Sequence, residues 1–437
     1  MQKLVFMIVG ELGPGSCCWT NIGYLKAVLD REVNTVSTSV RYCEVAAMWE
    51  TVEEVVAEGN TYYCFSVLQH NFLDCLAYTE EVKALCPKSI CIWGNIQASF
   101  HGEYILKNYP AVDFISVGEG EQTLVELIGK LTRGIEVSHC KGIYYRQKDN
   151  VVFSGARELI SNLDELPFPD RSFIPIKYRS PVSMLQIPVF ASRGCMGTCT
   201  FCDARVINVD SHGRSCVRTR TIRNVISEIH AIKQEFQSSC IYFMDSTFCA
   251  DSQNAYIRLD ELYSELKASG LDIHFFMNLR AEQFDERLIT SLNQLRQVGL
   301  KYLFVGFESG SSDDLKLYGK RATIQDNENA VKYLHRSGFL DILSPFGFDF
   351  GFINFNPYST IKTLWENFEF LEKEGLPTNI YHLTNALQIT SSTPITKKLR
   401  KDGLLTNYSD IPICDPYAYQ FNDYRIAAIA RLSVQSV

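Results

Sequence analysis

Three cysteines, Cys195, Cys199 and Cys202, are spaced C-x3-C-x2-C in the run Ala191-Ser-Arg-Gly-Cys-Met-Gly-Thr-Cys-Thr-Phe-Cys202. Three thiolates on one short loop can hold three irons of a 4Fe–4S cluster. The fourth iron then lacks a protein ligand and is open to a small molecule. Electron-transfer clusters normally take four cysteines, so three closely spaced ones point to catalysis. A zinc site short of its fourth ligand is the competing reading. Zinc favours paired C-x2-C units or nearby histidines, and no second pair accompanies this one. Cys216, fourteen residues past Cys202, is a candidate fourth ligand. His101, His212, His230, His274 and His382 show no ligand spacing.

The elements around this loop alternate. In the first 130 or so residues, short apolar runs at Leu4–Val9, Val33–Val40, Thr61–Ser66, Ile90–Trp93 and Asp113–Val117 read as strands. Helical patterns at Asn21–Leu29, Asn71–Cys86 and Glu121–Leu131 lie between or after them. Strand and helix in regular order predict a parallel sheet with helices on both faces. Such sheets bind ligands at the carboxyl ends of their strands. The loops at those ends are Gly10–Ser16, Ser66–Asn71, Gly94–Gln97 and Gly118–Glu121.

Residues 133–185 read as a linker. It carries a hairpin (Gly142–Arg146 and Val151–Phe153) and the proline-fixed Leu166-Pro-Phe-Pro-Asp170. A second alternating series follows. Its expected strands are Met184–Ala191, Cys240–Met244, Ile273–Asn278, Tyr302–Phe307, Gly347–Asn354 and Tyr381–Gln388. Six strands in about 200 residues suit a partial (β/α)6 barrel rather than a full eightfold one. The cysteine loop follows the first of them, at the end where barrel active sites lie. The alternation in Phe346–Tyr358 puts one face into the barrel, with Asn354 and Asn356 at its end as candidate substrate contacts. The fold class is therefore α/β: a doubly wound parallel sheet over 1–132, the linker, a partial barrel over 186–390 and a short segment over 391–437.

Bulk properties bound the function. The composition, 46% apolar and 21% charged, is that of an ordinary globular chain. A net charge of -8 argues against a nucleic-acid backbone as the main partner. The 15 cysteines are odd in number and scattered through apolar runs, the usage of a reducing cytoplasm. No run approaches the roughly 20 apolar residues of a membrane span. The start reads as a buried strand rather than a secretory signal.

The cysteine loop, with Phe201 before its third cysteine, resembles the radical S-adenosylmethionine (SAM) superfamily. The resemblance implies a 4Fe–4S cluster on Cys195, Cys199 and Cys202, with SAM chelated at the open iron. It also implies SAM contacts at Phe201, at Asp245 (in Met244-Asp-Ser246), at Asn278 and Arg280, and at Glu308 (in Val305-Gly-Phe-Glu-Ser-Gly310). The first half is similar to the cobalamin-binding, Rossmann-like domain of one branch of that superfamily. The matching residues are Asn21-Ile-Gly-Tyr-Leu25, Cys64-Phe-Ser66 with Asn71, Trp93-Gly-Asn95, Val117-Gly-Glu-Gly-Glu121 and Leu163–Asp170. This implies cobalamin contacts at Ser66, His70, Asn71, Gly94, Asn95, Gly118, Glu119 and Gly120. The loop Glu11–Gly15 lacks the histidine that ligates cobalt in D-x-H-x-x-G proteins, and His70 stands where many relatives carry an aromatic residue.

The implied activity is methyl transfer to an unactivated carbon of a small-molecule or peptide natural product. It would proceed through a 5′-deoxyadenosyl radical and methylcobalamin, with a flavodoxin- or ferredoxin-type reductant. Cyclisation, ring contraction or oxidation with the same cofactors is the alternative. A cobalamin or redox sensor is the alternative of another class. A methylthiotransferase would carry three further N-terminal cysteines and an RNA-binding C-terminal domain, and neither stands out in this sequence.

Overall fold

A computed structural model describes residues 1–10, 19–174, 186–209, 213–236, 240–249, 254–341, 347–406 and 418–434. The chain divides into two compact units, Met1–Arg179 with Val209–Arg214, and Ser180–Asn208 with Ser215–Val437.

The first unit is built on a seven-stranded sheet. Its strands are β1 (Gln2–Val9), β2 (Val36–Cys43), β3 (Tyr62–Ser66), β4 (Ile90–Gly94), β5 (Phe114–Ser116), β6 (Ile143–Gln147) and β7 (Asn150–Phe153). The order is β2-β1-β3-β4-β5-β6-β7. Strands β1 to β5 run parallel, so their carboxyl ends lie along one edge. The central strands are apolar without interruption because helices cover both faces: Leu4 to Val9 are all buried, as are Cys91, Ile92 and Trp93. The edge strand β2 carries the polar run Val36-Ser-Thr-Ser-Val40, which suits partial exposure.

Two features of this unit differ from the sequence reading. The hairpin expected in the linker is present, but it extends the sheet: β6 pairs antiparallel with β5, and β7 with β6. Two helices, Met48–Ala57 and Asn95–Asn108, follow β2 and β4. The second escapes a periodicity search because non-helical backbone at His101 breaks its apolar stripe into two faces.

The second unit has a five-stranded parallel sheet of β8 (Ile187–Val189), β11 (Cys240–Phe243), β12 (His274–Arg280), β13 (Leu300–Glu308) and β14 (Gly347–Phe352). Its order is β14-β13-β12-β11-β8. A small antiparallel pair, β9 (Ser192–Arg193) and β10 (Arg218–Thr219), flanks the cysteine loop. Several of the outer helices start on side-chain caps. Thr221 accepts from Asn224 N–H, Asp285 from Leu288 N–H, and Thr323 and Asp326 bond reciprocally.

The expected sixth strand, Tyr381–Gln388, forms differently. Asn379 accepts the N–H groups of Tyr381 and His382 and opens a short helix, Ile380–Thr384. Only an isolated parallel bridge, Phe355 to Ala386, remains of strand pairing there.

Candidate functional site

The cysteine loop leaves β9 and is held in place by backbone partners. Thr198 Oγ1 donates to Gly319 O at 2.7 Å, and Thr200 Oγ1 to Leu317 O at 2.8 Å. Thr200 N–H donates to Tyr318 O at 2.7 Å, and Ser215 Oγ to Cys195 O at 3.0 Å. Phe201 packs edge-on against Tyr318, centroids 5.6 Å apart. A loop rich in small residues is thereby fixed on several sides.

Cys195, Cys199 and Cys202 line one wall of a cavity of about 570 Å³. The guanidinium of Arg280 lies against them, its Nη1 3.9 Å from the sulfurs of both Cys195 and Cys199. The backbone N–H of Gly197 donates to Cys195 Sγ at 3.3 Å. Burial pushes the Cys202 thiol up to about 11, and the neighbouring Cys199 and Cys195 push in the same direction. Burial opposes the Arg280 charge, but Glu282, Cys199 and Cys195 outweigh it and hold the guanidinium cationic. A cation and an amide donor directed at clustered sulfurs are what an anionic iron–sulfur group requires. The donor set therefore fits such a cluster.

The strand ends carry the remaining groups of this wall. Asn278 and Arg280 on β12 and Glu308 on β13 line the same cavity. Asn278 Nδ2 donates to Asp245 O at 3.0 Å, which turns the amide along the strand ends. Glu308 has a positive φ of 68°, at a register shift between β13 and β14. Non-glycine residues adopt this conformation rarely, and chiefly at functional sites. Lys320 Nζ donates to Glu308 Oε1 at 3.1 Å inside the cavity wall.

Asp245 is placed otherwise. It is 1% exposed, and its carboxylate accepts from Ala191 N–H at 3.1 Å and from the Ser192 hydroxyl. Burial raises its pKa to about 6, against the pull of those two donors and of Arg258. Its neighbour Ser246 lines the cavity instead. Asn354 and Asn356 are also buried. Asn356 donates to Asp314 and to the Tyr318 hydroxyl, each at 2.9 Å, and Asn354 to Leu383 O at 2.7 Å. Both serve the core rather than the cavity.

Tyr302, Phe304 and Gly306 line the cavity beside Glu308. They share its face because strand side chains alternate, a period-two signal legible in the sequence. Lys320 and Arg205 also line it. Lys320 arrives from the turn after the helix Ser312–Leu317, and Arg205 from the short helix Ala204–Ile207 that follows the cysteine loop.

In the first unit the predicted cobalamin contacts gather at the carboxyl edge of the parallel strands. Ser66 ends β3, Gly94 ends β4, and Gly118 to Gly120 follow β5. Asn95, at φ 76°, donates from Nδ2 to Ser66 Oγ at 2.9 Å and joins two of these ends. Asn71 is buried and shapes the edge from below. It accepts from Leu68 N–H at 2.8 Å and donates to Val9 O at 3.0 Å. Glu119 accepts the N–H of Ile160 at 2.8 Å. His70 is exposed in the turn between β3 and the following helix. The loop 11–15 lies outside the described residues, as do Cys17 and Cys18.

The radical SAM superfamily model matches residues 189–380. The chain carries a radical SAM domain. The match begins at the end of β8 and spans the cysteine loop and every strand of the second sheet after β8. An uncharacterized methyltransferase of Pyrococcus horikoshii is 29% identical over 265 residues, 60% of this chain and 55% of that protein. An anaerobic magnesium-protoporphyrin IX monomethyl ester cyclase of Rubrivivax gelatinosus is 26% identical, covering 63% of this chain and 50% of that one. The chain thus spans about half the length of these curated relatives. The structure of the cobalamin-dependent SAM radical enzyme OxsB, with aqua-cobalamin and SAM bound, matches with a TM-score of 0.78. It covers 99% of this chain and 66% of that one at 20% identity, a likeness of fold that includes both the radical SAM domain and the sheet before it. Among the described residues no helix is long and apolar enough to cross a membrane.

Proposed function

We propose that this chain is a cobalamin-dependent radical SAM methyltransferase acting on an unactivated carbon of a small-molecule or peptide natural product. The observation that carries the reading is the wall of the cavity, where three cysteines and Arg280 meet in a radical SAM domain. The similarity to a methyltransferase supports the reaction class, and the fold shared with OxsB supports the pair of cofactors.

Cys195, Cys199 and Cys202 would hold the 4Fe–4S cluster, which when bound supplies the electron that splits SAM into methionine and a 5′-deoxyadenosyl radical. Arg280 offsets negative charge at Cys195 and Cys199 and closes the wall behind them. Asn278, Ser246 and the Glu308–Lys320 pair offer donors and acceptors for SAM. Phe201, Tyr242, Phe276 and Phe304 line the cavity with apolar surface and limit water around a reactive radical. Ser66, Asn95 and the Gly118–Gly120 turn would receive cobalamin, which when bound supplies the methyl group. A cytoplasmic setting and a flavodoxin- or ferredoxin-type electron donor complete the reading.

A second reading is favoured by the similarity to the cyclase: the same cofactors used for ring closure or oxidation. Product analysis after anaerobic reconstitution separates the two. Methyl transfer yields S-adenosylhomocysteine in step with 5′-deoxyadenosine. The cyclase reading yields 5′-deoxyadenosine alone. Under either, Cys199→Ala abolishes 5′-deoxyadenosine formation, and a variant that still forms it removes both readings.

A further inference from the structure

On β14, Gly347, Asp349 and Gly351 alternate onto one face of the strand. In register with β13, Gly347 pairs with Tyr302, Asp349 with Phe304 and Gly351 with Gly306. Paired residues of neighbouring strands share a face, and Tyr302, Phe304 and Gly306 line the cavity. A Cβ at Gly347 would lie 2.5 Å from the Tyr302 ring, and one at Gly351 would lie 3.3 Å from Phe304 Cζ. The Tyr302 ring covers Gly347, and Glu308 Oε2 (3.0 Å from a Cβ at Gly351) and the Phe304 ring cover Gly351, which leaves Asp349 as the functional group that β14 itself places on that face. Its side chain is 41% exposed, so a solute can reach it.

The carboxylate is oriented. Asp349 Oδ1 accepts from its neighbour Phe350 N–H at 2.8 Å and from His382 Nε2 at 2.8 Å. His382 is buried, stacks on the Phe350 ring at 3.9 Å, and accepts the backbone N–H of Asn379 on Nδ1 at 3.0 Å. A ring nitrogen that accepts carries no proton, so the imidazole is neutral and Nε2 is the donor. The Tyr302 hydroxyl is a third hydrogen-bond partner of Asp349. All three donors are uncharged, so among the described residues no cation matches its negative charge. Two other carboxylates beside the cavity are matched by a cation, Glu308 by Lys320 and Glu282 by Arg280. Burial and the Asp349 carboxylate together push the Tyr302 phenol up, so that ring stays neutral.

An oriented carboxylate with no matching cation, beside Tyr302 and Phe304, is the chemistry that recognises an organic cation. The carboxylate takes the charge and the N–H, and the ring faces add cation–π attraction. We propose that Asp349 anchors the substrate of this cavity, with His382 as its positioning residue, and that the substrate class is an amine or guanidine on an aromatic or apolar body. This rests on the cavity being the substrate chamber of the enzyme proposed above.

The test is a ligand-observed NMR titration of the anaerobically reconstituted protein with phenethylammonium, 2-phenylethanol and phenylacetate. Wild type is expected to hold the ammonium roughly tenfold or more tighter than the alcohol and to reject the acid. Asp349→Asn keeps the size and an acceptor, and it brings the ammonium-to-alcohol ratio to about one. His382→Leu lowers the ratio, and His382→Gln, which restores an N–H donor, recovers most of it. Iron content and melting report whether each variant folds, and Asp349→Ser replaces Asp349→Asn if the latter does not. An unchanged ratio in the Asp349 variant overturns the proposal, and so does a wild type that binds amine and alcohol alike or binds no amine. The readout is binding rather than turnover, so a failure of methyl transfer and a failure of amine recognition are told apart.

Discussion

At the residue scale, the buried carboxylate of Asp245 yields a pH prediction. Its folded pKa of about 6 lies above the ordinary aspartate value near 3.8. The folded chain therefore holds this proton more tightly than the unfolded chain does. Stability from this group is complete below about pH 4 and is lost as pH rises through about 6. Two pKa units correspond to something on the order of 3 kcal/mol. Urea unfolding of the metal-free chain should show wild type weakening from pH 4 to 6 relative to Asp245→Asn. Parallel pH profiles would mean that this carboxyl titrates like an exposed one. The residue also shows where sequence reading stops. A strand-end aspartate at 245 was legible as part of the site's frame, but its direction was not. Whether such a group faces a ligand or clamps the backbone of Ala191 depends on packing from β8, which no local pattern encodes. Lys320 is the converse case, a cavity-lining residue that is visible only once its turn is folded against Glu308.

At the element scale, the turn ending the Ser312–Leu317 helix holds the cysteine loop. Gly319 has φ 60° and its carbonyl accepts from Thr198 Oγ1. A Cβ there would lie 2.7 Å from Thr198 O, a backbone atom that cannot swing aside. Gly319→Ala should displace the loop between Cys195 and Cys199 and lower iron per chain several-fold after reconstitution. Gly270→Ala is the control. It ends the helix Ala255–Ser269 at φ 64° with open space around its Cβ, so it should cost only about 1 kcal/mol of backbone strain. Equal iron loss in both variants would make the effect one of general stability. The strands of both sheets were legible because apolar runs of strand length, separated by helical periods, leave little choice. The sixth strand of the barrel was not. Tyr381–Gln388 has strand-like residues, but the Asn379 cap converts its start into helix, a local hydrogen-bond choice that outweighs β propensity.

At the scale of the whole molecule, the described residues form a mixed seven-stranded sheet and a parallel five-stranded one, each with its candidate ligand groups at the ends of its own parallel strands. If, as proposed, each core holds its own cofactor, the two should be lost one at a time. Gly94 ends β4 in extended backbone at φ −144°, and a Cβ there meets only Ser116 at ordinary contact distance, 3.7 Å. A Cβ is therefore accommodated there, and Gly94→Leu extends a longer side chain over the edge where the proposed corrin would approach the backbone. It should lose cobalt and keep iron. Cys195→Ser should lose iron and keep cobalt. Binding to the folded state adds stability by mass action, about 2.7 kcal/mol at a hundredfold excess over Kd. Added cobalamin should accordingly raise the melting temperature of Cys195→Ser and leave that of Gly94→Leu unmoved. If cobalamin stabilises both variants equally, corrin binding does not use the β4 edge, and the placement of Ser66, Asn95 and the Gly118–Gly120 turn around it falls. If Cys195→Ser loses cobalt together with iron, the two sites are coupled, and neither sheet alone accounts for its cofactor.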